Sequence, residues 1–191
     1  MRIRRQTTDF LLTASVVAAS ILPFASWILS LLGLPVRSMF SDEGLRWLFL
    51  HGAESMFSYG AMACTACLVA LGSVEYSGMD GSEYRRTPFL VSLFFAAIID
   101  ALLLLAMLHP HSPLISLTGS LWPSPFLHGL PFALCIGLQF VALIYALQMR
   151  RVNDLHSFVE FLVAGLVRYA PWIVFVMLTS FVWNGLRYIV K

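Results

Sequence analysis

Runs of about 20 apolar residues recur along this chain between short polar or Pro- and Gly-rich connections, and no other feature limits its fold so strongly. A helix of that length crosses a hydrocarbon layer about 30 Å thick while satisfying its own backbone N–H and C=O groups, which lipid cannot do. Of the 191 residues, 59% are hydrophobic and only 12% are charged, roughly half the charged share of a soluble domain. Water is excluded as the main solvent. The pattern predicts an all-α, polytopic membrane helix bundle with about five transmembrane helices and one or two interfacial amphipathic helices.

The predicted spans are 9–33, 56–74, 87–108, 125–147 and 169–190, all within a single membrane domain, 1–191. The first follows Met1-Arg-Ile-Arg-Arg as a signal sequence would. Its apolar run outlasts a signal core and ends without a small-x-small cleavage site, so it reads as a retained helix. Pro23 lies inside it, and Gly33-Leu34-Pro35 stops it. Residues 42–54 mix Leu45, Trp47 and Phe49 with Glu43, Arg46 and His51, the composition of a helix lying in the interface, with Trp47 at headgroup level. Residues 153–166 carry Leu155, Phe158, Val159, Leu162 and Leu166 at helical spacing and predict a second interfacial helix. The second span is dense in small residues. Gly60, Ala63, Cys64, Cys67 and Gly72 offer a face on which another helix, in this chain or another, approaches closely.

The placement of charge gives an orientation. Arg2, Arg4, Arg5, Arg85, Arg86, Arg150, Arg151 and Arg168 fall on one side of the predicted topology; Arg37, Arg46, Arg187 and Lys191 fall on the other. The side richer in Lys and Arg is normally cytoplasmic, which puts the N-terminus inside and, with five spans, the C-terminus outside. The net charge of +2 is not concentrated in any basic patch, so nucleic acid is not an expected partner. The expected partners are the lipid bilayer and either further copies of the chain or another membrane protein.

Few residues could carry chemistry. Asp100 stands in the middle of the third span, where an ionisable side chain costs about 2.5–3.5 kcal/mol on insertion scales. It reads either as an ion or substrate site or as an interhelical hydrogen-bonding carboxyl, and one acid alone makes no relay. Cys64 and Cys67 form a C-x-x-C, but among Ala63, Thr65, Ala66 and Leu68 they lack the polar setting of redox or zinc chemistry. The His109-Pro-His111 pair supplies half a metal site at most, so neither metal nor cofactor is expected. Glu54 reads as a side chain reaching the interface, and Gln139 as an interhelical hydrogen-bonding group. No phosphate-binding glycine loop or nucleophile elbow is present, and the expectation is a protein that is not an enzyme.

Two segments carry a family resemblance. Residues 41–79 contain Ser41-Asp-Glu-Gly-Leu-Arg-Trp47, the aromatic entry Phe57 to Tyr59, a small-residue membrane run, and the close Glu75-x-Ser77-Gly78. Ser124 to Arg151, followed by Asn153-Asp154 and Tyr169-Ala-Pro-Trp-Ile-Val, repeats the order of a later segment. Together they resemble the p-aminobenzoyl-glutamate transporter (AbgT) family. The resemblance implies a dimeric secondary transporter of the bacterial inner membrane, exporting or importing small anionic aromatic or drug-like solutes with a coupling ion, Na+ or H+; the chain itself is expected to be a homo-oligomer or to join another membrane protein. Asp100-Ala101 falls on that family's polar third-span motif, but Ala96, Ala97, Ile98, Ile99 and Leu102 replace its other polar positions. The expectation is therefore a shortened relative with an incomplete transport core, or else a non-transporting accessory subunit of a membrane complex.

Overall fold

The computed structural model describes residues 2–81, 85–108 and 125–190, with side chains described over 7–81, 85–99, 101–102 and 129–190. The fold is all-helical, in the order α1 (Arg2–Leu31), α2 (Asp42–Met56), α3 (Tyr59–Ser77), α4 (Arg86–Leu108), α5 (Pro125–Gln148) and α6 (Leu155–Val190). Four stretches are long and apolar enough to cross a membrane: Thr7–Leu31, Asp42–Ser77, Gly129–Gln148 and Leu155–Val190. In α4 the apolar stretch among the described side chains is Arg86–Ile99. Large apolar side chains such as Phe10, Phe24, Leu32, Phe94, Leu134 and Val167 point outward, as a membrane protein of apolar helices requires.

The segments 153–166 and 169–190, read as two elements from the sequence, fall from Leu155 onward on one continuous helix, α6. Amphipathic and uniformly apolar stretches share the same helical backbone, and neither Gly165 nor Pro171 interrupts it. At 36 residues it is about 54 Å long, well beyond the thickness of a hydrocarbon layer. Pro23 and Pro131 likewise lie within α1 and α5, a placement that membrane helices tolerate. By contrast, 41–79 is broken once. Phe57 and Ser58 separate α2 from α3, and Ser58 starts the new helix, its hydroxyl accepting the Ala61 N–H at 3.4 Å.

The chain forms two compact units. The first contains residues 1–65 and 170–191: α1, α2, the start of α3 and the later part of α6. Its centre is Leu22, Met39 and Ile189, with Val36, Trp47 and Tyr188 packed against them. Gly33 (φ 76°) ends α1 in the left-handed conformation that glycine adopts without strain, and the Leu34 N–H reaches back to the Leu29 carbonyl. The following turn is fixed from both sides. Buried Met39 donates its N–H to Ser26 Oγ at 3.0 Å, and Arg37 N–H caps the Ile189 carbonyl in the last turn of α6 at 3.0 Å. The Ser-Asp-Glu-Gly string then has a local explanation. Ser41 Oγ accepts the Gly44 N–H, Asp42 and Glu43 occupy the electropositive first turn, and a Cβ at Gly44 would collide with the backbone of Ser38 and Met39.

The second unit, residues 66–169, holds the rest of α3, α4, α5 and the beginning of α6. α4 packs on α5, and Ala142, Ala146, Val152 and Phe161 form a core with Val74, Tyr76, Leu143 and Phe158 around it. Fully buried Tyr145 accepts the Arg85 N–H on its hydroxyl at 2.9 Å, satisfying a backbone donor at the start of α4. α5 ends with the same pair of backbone bonds as α1, Arg151 N–H to Ala146 and Arg150 N–H to Leu147. Here, however, the left-handed residue is Arg150, φ 54°. α3 and α6 meet at Gly72 and Gly165, where a Cβ on either glycine would enter the other helix's backbone.

Candidate functional site

In the first unit, α2 and the later part of α6 line an open cleft of about 1180 Å3, at or slightly above the size of sites that take small organic ligands. Each helix contributes one face. From α2 and the residue that starts α3 come Trp47, His51, Glu54, Ser55 and Ser58. They recur at intervals of three and four, which places them on one side of a helix. From α6 come Trp183, Asn184, Arg187 and Tyr188, flanked by Leu186 and Val190. The walls are aromatic. Trp47 stacks on Tyr188 with ring centroids 4.8 Å apart, and on His51 at 6.5 Å. The Arg187 guanidinium lies 5.6 Å over the Trp183 ring, a cation–π arrangement that holds the charge while leaving its N–H fork available.

The helix break organises the polar groups between these walls. Ending α2 at Met56 removes the intrahelical partner of the Ser55 carbonyl, and α6 replaces it: Ser180 Oγ donates at 2.7 Å and Asn184 Nδ2 at 3.2 Å. Because the single Ser180 proton goes to Ser55, the 2.6 Å contact between Ser58 and Ser180 uses the Ser58 proton. Other groups lack partners. Tyr188 Oη is buried without a hydrogen bond, an omission worth about 1–3 kcal/mol. Glu54 has no hydrogen-bond or ion-pair partner among the described residues, although it lies in the last turn of α2, where the helix dipole disfavours an anion.

The polar groups of the second unit are engaged with one another. Tyr169 donates its hydroxyl to Glu75 Oε1 at 2.7 Å, and Arg168 Nε lies 2.5 Å from Glu75 Oε2, paired by charge without hydrogen-bond alignment. Arg151 Nη1 donates to the Tyr76 carbonyl at 2.7 Å, and its guanidinium covers Gly78. Tyr76 bonds Glu160, which also pairs with His156 at 3.3 Å. These contacts form a latch between helix ends.

The residues singled out from sequence are dispersed. Trp47 is a wall of the cleft, while Arg46 is exposed on α2 outside the lining. Gly72 packs on Gly165, Cys67 Sγ lies 3.3 Å from Cys135 Sγ, Ala63 is half-buried, Cys64 is exposed, and no other side chain comes near Gly60. Asp100 is on α4, and its side chain lies outside the described residues; so do His109 and His111. No group of three or more His, Cys, Asp or Glu suited to a metal ion occurs among the described residues. The cleft itself was not anticipated, although its signal is in the sequence. Trp47, His51, Glu54 and Ser58 on one side, and Ser180, Asn184 and Arg187 on the other, are polar and aromatic stripes at helical spacing within apolar surroundings. No family model, no curated protein and no solved structure matches this chain.

Proposed function

We propose that this chain is a transport-related protein of a bacterial inner membrane that receives small anionic aromatic or drug-like solutes in the cleft between α2 and the end of α6. The observation that carries this reading is the pairing of Arg187 with flat aromatic walls formed by Trp47, Trp183 and Tyr188. A guanidinium binds a carboxylate through two parallel N–H donors, and the rings supply apolar area for an aromatic body. The N-terminus of α3 begins at Ser58 on the same cleft and adds a partial positive charge. A helix broken beside a polar cavity is a device that transporters use to present such termini to a solute.

With the N-terminus cytoplasmic and α4 counted as the fifth span, α2 and the end of α6 lie on the outer side, where the cleft is open to arriving solute. Asp100 on α4 is then the candidate for coupling to Na+ or H+. Wild-type protein in nanodiscs should bind an aromatic carboxylate such as N-acetyl-phenylalanine, read from Trp47 and Trp183 fluorescence. Arg187→Gln should weaken that binding at least tenfold, the loss of one charge-assisted contact. Absence of aromatic-anion binding by the wild-type protein would sink the proposal. Uptake into proteoliposomes driven by a Na+ or H+ gradient, and its loss in Asp100→Asn, tests whether binding leads to transport.

An accessory-subunit reading has one observation in its favour. Only 17–22% of the residues in an 18-residue apolar window of each of the four spanning stretches are buried within the chain, which leaves large helix faces for further copies or another membrane protein. The mass of the complex purified from native membrane decides between one kind of chain and two.

A further inference from the structure

We infer that the ligand of the cleft is a zwitterion, carrying a protonated amine for Glu54 as well as an anionic group for Arg187. This inference rests on the proposed binding role of the cleft and specifies the ligand class. Glu54 and Arg187 line the same cavity with opposite charges, yet no ion pair joins them within 4 Å, and neither has another ion-pair partner among the described residues. A solute with only a carboxylate would satisfy Arg187 and meet an uncompensated acid across the cleft.

The backbone points the same way. Glu54 stands at the electronegative C-terminal end of α2, where an acid is disfavoured unless a cation offsets it, and no basic residue occupies that turn. Immediately beyond the Phe57–Ser58 break, α3 presents its electropositive N-terminus. The break therefore sets a negative helix end beside a positive one, each reinforced by a side chain of the same sign: Glu54 at the first, and Arg187, supplied by α6, on the cleft that the second adjoins. An amine and an anion separated by a few bonds complement this arrangement, and neither charge alone does.

Two sources offer this chemistry, a dissolved amino acid-like solute and the headgroup of an ethanolamine phospholipid. The test uses the full chain in phosphatidylglycerol nanodiscs with phenylalanine, N-acetyl-phenylalanine (anion only) and phenethylamine (cation only) as probes. Phenylalanine should bind at least tenfold more tightly than either of the others. Glu54→Gln should bring phenylalanine down to the level of N-acetyl-phenylalanine, and Glu54→Asp should keep most of the preference. Adding ethanolamine phospholipid and finding Glu54-dependent competition identifies the headgroup as a source; finding none identifies the dissolved solute. Equal binding of phenylalanine and N-acetyl-phenylalanine overturns the zwitterion while leaving the anion-binding role intact. A preference that survives Glu54→Gln overturns it as well, and binding of none of the probes overturns both readings.

Discussion

The two ends of α6 meet their neighbours in opposite ways. In the second unit Gly165 faces Gly72, and the backbones of α6 and α3 come so close that no Cβ fits between them. The polar groups there close on one another through Glu75, Arg168 and Tyr169. In the first unit α2 and α6 touch through the Trp47–Tyr188 stack and the bond from Ser180 to the Ser55 carbonyl, and a cleft lined by Trp47, His51, Trp183 and Tyr188 opens beside these contacts. Residue size at the crossing makes the difference. Glycines let two helix backbones touch at Gly72 and Gly165, whereas the larger side chains between α2 and α6 meet ring to ring and leave a cleft that Glu54 and Arg187 line without an ion pair between them. One helix thus forms a close joint with α3 along one stretch and lines a cleft along another.

The largest effect should come from filling the joint. Gly165→Leu places side-chain atoms where the Val69 backbone runs and is expected to destabilise the protein by about 3 kcal/mol, read as a lowered unfolding midpoint in detergent. The same substitution at Gly60, which no other side chain approaches, should leave the midpoint nearly unchanged; equal losses at both positions would refute the contrast. A smaller effect is expected where the cleft is braced. Ser180→Ala removes the donor to the Ser55 carbonyl and leaves the Ser58 proton without an acceptor, a cost of about 1–2 kcal/mol, accompanied by weaker ligand binding because the α2–α3 break loses its support. Stability lost with binding unchanged would show that the break does not shape the cleft. The smallest effect is a gain. Arg150→Gly relieves a left-handed residue at the end of α5 and should raise stability by about 0.5 kcal/mol. Gly33→Ala, at the equivalent position ending α1, should lower it by a similar amount, because alanine is strained at φ 76°.

Much of the architecture was legible from pattern alone. Apolar runs longer than a soluble core needs announced membrane helices, and Gly33-Leu34-Pro35 announced the end of α1. These are local signals, decided by propensity, capping and the absence of water. The small residues read from α3 do not share one partner: Gly60 and Cys67, seven positions apart, lie on the same side of the helix, where Cys67 meets Cys135 of α5 and nothing among the described residues lies against Gly60, while Gly72 lies on another side and meets Gly165 of α6. A helix offers several faces, and sequence spacing does not say which neighbour each one meets.

The chain by itself determined the solvent it folds in and the class of its elements, because hydrophobicity and backbone satisfaction act residue by residue along the sequence. Glu54 and Arg187, 133 positions apart in the chain, and Gly72 and Gly165, 93 apart, became partners in a cleft and a joint only when α6 lay against α2 and α3. Helix packing depends on side-chain shape across a contact between distant segments, and that contact is a property of the tertiary structure.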